Sequence, residues 1–307
     1  MHTDTESVRS SESVPQRLFR RLLKFGVICG MGLAILVAIL IFHNNYALVS
    51  PSRAEFEAQL NQAIENSTRW MNDHPTIMGN PPLMFMVGDM ARMSHDPRME
   101  QMVTAYDHSK YTKQKPVITW YYARMADGVT EVPRLTLFDM GDVIWQNRVD
   151  AYGVAPDKVD LPVQDRVDLF TPGRYTWGSR LHQLIALDIY RYFNGPSPEL
   201  NAVINPTAEA VAREAHWDFR VTDAYPQHIW SVLAAGRPDL IRKQWVLRLI
   251  AHQRPDGSWP DCWHGWCRGA LQFSSHDIDP DHVTSQAAYA LYLIKYRYPQ
   301  WIDEHFR

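Results

Sequence analysis

The stretch from Trp245 to Trp259, WVLRLIAHQRPDGSW, limits the fold more than any other part of the chain. Trp245, Val246, Leu249 and Ile250 recur at helical intervals, so the segment leading to Gln253 is an amphipathic helix. Arg254-Pro255 stops that helix, and Gly257 supplies the positive φ that a tight Pro-Asp-Gly-Ser turn needs. Trp259 can then fold back onto the end of its own helix, with its indole N–H free to find a partner.

The N-terminus sets the topology. Residues 1–24 are a basic-ended tail: the first fifteen or so are Ser/Thr/Glu-rich without apolar periodicity and read as disordered, and Arg17, Arg20, Arg21 and Lys24 follow. Residues 25–42, FGVICGMGLAILVAILIF, carry no charge and at ~1.5 Å per residue nearly span a ~30 Å hydrocarbon core. The run is long for a signal-peptide core and no A-x-A cleavage site follows it, which favours an uncleaved anchor. Cations gather before the span and only Arg53 lies soon after, so the positive-inside rule puts the N-terminus in the cytoplasm and residues 50–307 in the periplasm or outside the cell. A net charge of −3 gives no electrostatic reason to expect nucleic acid as a partner.

Ser52 and Glu55 form an S-x-x-E capping box that opens a helix to about Met71. Further helices are expected over 81–94, 97–109, 117–126, 135–149, 177–193, 206–219, 223–235, 238–253 and 282–297. Strand-like alternation is scarce, so the class is all-α. Asp96-Pro97, Ser197-Pro198, Asn205-Pro206 and Pro238-Asp239 each place Pro or a capping side chain at a helix entrance. Residues 150–174 look least helical and are expected as a long loop.

With its Gln253 and Gly257-Ser258-Trp259, the Trp245–Trp259 stretch resembles the repeats of the terpenoid cyclase and protein prenyltransferase superfamily, in which a helix ends in Gln and is followed by Gly-x-Trp. The resemblance implies an α/α toroid, closed or an incomplete arc, of helical hairpins behind the membrane helix. It implies that Gln253 caps neighbouring backbone and Trp259 packs below it, and that inner helices line a cavity with their N-terminal ends at the site. Those starts are Trp177 to His182, Thr222 to His228 and Asp281 to Gln286.

Among these residues, Asp223, Tyr225, His228 and His282 are the catalytic candidates, because a carboxylate beside an imidazole can orient a general base. The plainer reading has Asp223 capping its helix and His228 packing in a wall, with His182 and His216 equally structural. Cys262, His264, Cys267, His276 and His282 form a zinc-type ligand set, and the prenyltransferases bind zinc through Asp, Cys and His at helix starts. Their spacing differs here, and two cysteines five residues apart in an extracytoplasmic domain more simply form a disulfide, with no cofactor. Asp277-Ile-Asp279-Pro-Asp281 has Pro where the DxDD motif of protonating cyclases needs Asp, so it reads as a turn and cap. The methionines from Met71 to Met102, with His95 among them and His108 just beyond, suit either helix packing or Cu(I) ligation.

Two functions fit. One is a membrane-tethered binding or assembly module for a lipid-like, glycan or protein partner, suited by the chain's 11 Trp and 14 Tyr. The other is an enzyme on a polyprenyl or saccharide substrate, with zinc as the alternative cofactor. An enzyme requires Asp223, Tyr225, His228 and His282 to converge on one pocket.

Overall fold

The computed structural model describes residues 14–306 apart from 47, 108–118, 128–130, 140–142, 177, 218–222 and 260–279. Among the described residues the chain is all-α, with no strand and one isolated bridge between Leu135 and Val159. The helices are α1 (Val14–Tyr46), α2 (Arg53–Asp73), α3 (Pro81–Ser94), α4 (Pro97–Ala105), α5 (Thr119–Asp127), α6 (Trp145–Val154), α7 (Val163–Leu169), α8 (Gly178–Asn194), α9 (Pro198–Trp217), α10 (Ala224–Ala234), α11 (Lys243–Ala251), α12 (Pro280–Tyr292) and α13 (Pro299–His305).

Local chemistry explains most of the boundaries. Ser52 and Glu55 close the capping box at the start of α2, with the Ser52 N–H donating to Glu55 Oε2 at 2.8 Å. Asp96 caps α4 by accepting from the Arg98 N–H at 2.9 Å, ahead of Pro97 at N1.

Four expectations need correction. The first helix begins at Val14, so residues 14–24 are helical rather than disordered tail. Of the segment 135–149, residues 135–139, 143 and 144 are not helical, and the helix runs from Trp145 to Val154. Residues 150–174 therefore contain the end of α6 and all of α7, which buries Leu169. Pro206 lies inside α9, which starts at Pro198; a proline there removes one donor to the preceding turn without ending the helix, because buried Ile204, Ala208 and Val211 hold both halves against the core.

Within α1, the 26-residue stretch Arg21–Tyr46 contains an 18-residue window of mean hydropathy 2.8, long and apolar enough to cross a bilayer. Its last turn is tied to the body. Asn44 and Asn45 are buried, and their Nδ2 groups donate to the Ala215 and His216 carbonyls at the end of α9, at 3.1 and 2.9 Å.

In the body, α3 packs on α5, α5 on α6, α6 on α8, α8 on α10, α10 on α12, and α12 back on α3. Helices α2, α4 and α9 lie against members of that cycle, and α11 joins α1 to α2. Asp89 on α3 fixes the return contact, accepting from Tyr289 Oη at 2.7 Å and from Arg297 at 2.8 Å. Met71, Met84, Met86, Met90, Met99 and Met102 are buried in the core, which assigns them to helix packing.

Candidate functional site

The 253–259 turn is built as a brace. Gln253 Nε2 donates to the Ala63 carbonyl on α2 at 2.8 Å and to the Gly257 carbonyl at 3.0 Å. Trp259 is fully buried, and its indole N–H donates to the Leu249 carbonyl at 2.7 Å. Gly257 has φ of 99°, and a Cβ there would lie 2.3 Å from the Asn66 carbonyl oxygen. The Trp259 N–H donates to Thr284 Oγ1 at 3.0 Å, so the brace holds the first turns of α12.

That placement decides which way α12 faces. Asp281 and Thr284 turn toward the brace and toward Thr76, whose hydroxyl donates to Asp281 Oδ2 at 2.5 Å. His282, Gln286 and Tyr289 lie on another face, one turn apart at i, i+4 and i+7. His282 Nε2 stands 3.9 Å from Asp223 Oδ2 at the start of α10, with the two side chains 31% and 34% exposed. Tyr289 meets the Trp230 ring of α10 at a centroid distance of 5.6 Å.

His182 on α8 lies near enough to feel the charges of both residues. Its burial holds its pKa below the ordinary histidine value; Asp223 pulls in the opposite direction and His282 adds to the lowering. The three residues thus share one electrostatic environment, although they come from three helices. Asp223 makes no side-chain capping bond to α10, so its carboxylate faces the cluster rather than its own helix.

One turn below His282, Gln286 is 0% exposed, and both polar atoms of its side-chain amide lack a hydrogen-bond partner among the described residues. The neighbouring Ser285 hydroxyl and the Trp230 indole N–H are also buried without one. Leaving a polar group buried and unpaired costs about 1–3 kcal/mol, so this concentration on α10 and α12 marks a polar position inside the core. In the sequence, Gln286 stands only at the edge of an expected helix start. Its signal is a Gln four residues after His282 in an otherwise small and apolar stretch, SQAAYALY.

The four catalytic candidates fall into two groups. Asp223 and His282 pair, whereas His228 is bound through Nδ1 to the Ala224 carbonyl at 2.6 Å and faces Glu214 at 4.0 Å. Glu214 is itself bridged by Arg180 at 2.5 Å. Tyr225 is buried under the Arg248 guanidinium, 5.2 Å from its ring centre. Cys262, His264, Cys267 and His276, with the disulfide or zinc site they would form, lie outside the described residues, as do Trp177 and Thr222. Among the described residues no three of His, Cys, Asp and Glu are grouped to share a metal ion.

Compared with protein-family models, with curated proteins and with solved structures, the chain matches none.

Proposed function

We propose that the chain is a membrane-anchored extracytoplasmic α/α toroid that binds a lipid-like ligand, ahead of a glycan or protein partner. The excess of Arg and Lys before the span supports the orientation, and the closed order of helix neighbours supports the toroid. The carrying observation is Gln286, buried with an unpaired amide directly below His282. A ligand with a small polar end would hydrogen-bond this amide and meet His182, Asp223 and His282. Its apolar part would lie against Trp230 and Tyr289.

Native mass spectrometry of the full-length protein released from host membranes tests this reading. The expected result is a bound amphiphile of defined mass that is lost in Gln286→Leu, while that variant gains stability because an unpaired amide has been removed. No amphiphile in the wild type, or equal amounts in both proteins, contradicts the proposal.

A second reading rests on the Asp223–His282 contact, a carboxylate set beside an imidazole at a partly exposed helix start. As an enzyme on a polyprenyl or saccharide substrate, the protein would use His282 as the base and Asp223 to orient it, without Tyr225 and His228, which do not join that pair. Asp223→Asn would then bind ligand but lose turnover. Metal analysis with thiol titration separates the two fates of Cys262 and Cys267: zinc with reactive thiols favours the metalloenzyme, and a metal-free pair without reactive thiols favours the disulfide.

A further inference from the structure

The apolar surface of α1 does not stand apart from the body. Gly30, Leu33, Ala34, Val37, Ala38, Ile41, Phe42 and Tyr46 line an open groove of about 670 Å³ with one residue of the body, Trp217 at the end of α9. Trp217 is 57% exposed, unusual for an indole next to so much apolar surface. The turn that leads into it is fixed, because the carbonyls of Ala215 and His216 are held by Asn44 and Asn45. Around the same turn of α1, Arg242 donates to Tyr46 Oη at 2.9 Å and lies 5.4 Å from that ring, and Lys243 Nζ donates to Ser50 Oγ at 3.2 Å. Trp245 donates its indole N–H to Asn45 Oδ1 at 3.0 Å.

An exposed Trp beside the last apolar turn of a spanning helix, with Tyr, Arg and Lys at the same level, is the composition of a membrane–water interface. We infer that the body is seated on the bilayer surface, with Trp217 inserted at the headgroup level and the start of α10 turned toward the membrane. Two observations place the start of α10 near the end of α1. Asp223 comes only six residues after Trp217, and Arg248, bound to Asn44, also covers Tyr225 in the first turn of α10. The His182–Asp223–His282 cluster therefore sits at the membrane-proximal end of the body, where an amphiphile arrives from the adjoining leaflet without crossing water. The seating depends on α1 spanning the membrane and holds whether or not the cluster binds a ligand.

Full-length protein in phosphatidylcholine vesicles tests this through tryptophan quenching by lipids brominated near either the carbonyl end or the tail of the acyl chain. The expected result is a quenched component stronger with the carbonyl-end label, present in the wild type and lost in Trp217→Phe. Trp217→Tyr gives the same loss and serves if the Phe variant does not fold. Identical quenching of wild type and variants overturns the seating, because Trp217 is then in water or covered by protein. A Trp217 component quenched more strongly by the tail label overturns it as well.

Discussion

His282 Nε2 stands 3.9 Å from Asp223 Oδ2, although one residue lies in the first turn of α12 and the other is the N-cap residue at the start of α10. The contact makes a titration prediction for the third member. Asp223 raises the pKa of His182 against the lowering by burial, and His282 lowers it further. Asp223→Asn should therefore move the His182 titration to lower pH, and His282→Gln should move it to higher pH. Ring-carbon NMR shifts followed against pH check both signs, and a His182 curve unchanged in both variants would mean that the three do not interact.

The brace makes a stability prediction. In Gly257→Ala the new Cβ meets the Asn66 carbonyl at a backbone φ that L-residues avoid, so the variant should lose about 2–4 kcal/mol in urea unfolding. Trp259→Phe, which removes the bond to the Leu249 carbonyl, should lose about 1–3 kcal/mol. Wild-type midpoints in both would show that the turn is dispensable.

Asp150 predicts a pH dependence. Burial raises its pKa to about 7, and Tyr122 Oη donates to its Oδ2 at 3.0 Å. Between an unfolded value near ~3.9 and that folded value the native state binds the extra proton. Its contribution is complete below the unfolded value and declines as pH rises toward about 7. Asp150→Asn lacks this decline, so the difference between variant and wild-type stability should grow in favour of the variant from pH ~4 to ~7. Parallel urea midpoints across that range would contradict the assignment.

Asn45 predicts how firmly the anchor is joined to the body. Its amide donates to the Ile41 and His216 carbonyls and accepts from Trp245, so Asn45→Ala leaves buried partners unpaired at about 1–3 kcal/mol. The variant should melt lower in detergent and be cleaved faster by protease between α1 and α2. An unchanged cleavage rate would mean that α1 and the body are only loosely connected.

Much of the fold was legible because its signals are local. The Ser52–Glu55 box, Asp96-Pro97 and Gln253 to Trp259 each determine their own turn through contacts within a few residues or through a special φ. Pro206 misled because its meaning depends on whether the preceding turn is already packed, and α9 is held by buried side chains on both sides of it. The short helix α7 escaped because seven residues carry too little periodicity to register. In the site, the residue types were visible but their pairing was not. Asp223 and His228 are close in sequence and so invited a pair, yet His228 turns to Glu214 while Asp223 reaches His282 on α12. Gln286 was hidden because burial without a partner is a property of packing alone.

Photo-crosslinking tests whether a lipid-like ligand binds among α8, α10 and α12. Host cells fed a photoreactive, clickable fatty acid incorporate it into their lipids, and the full-length protein is irradiated in its own membranes and mapped by peptide mass spectrometry. Cross-links are expected on α8, α10 and α12 around His182, Trp230 and Gln286, absent in Gln286→Leu, in addition to those along α1. Cross-links confined to α1 would contradict this binding and leave the body without a lipid-like ligand.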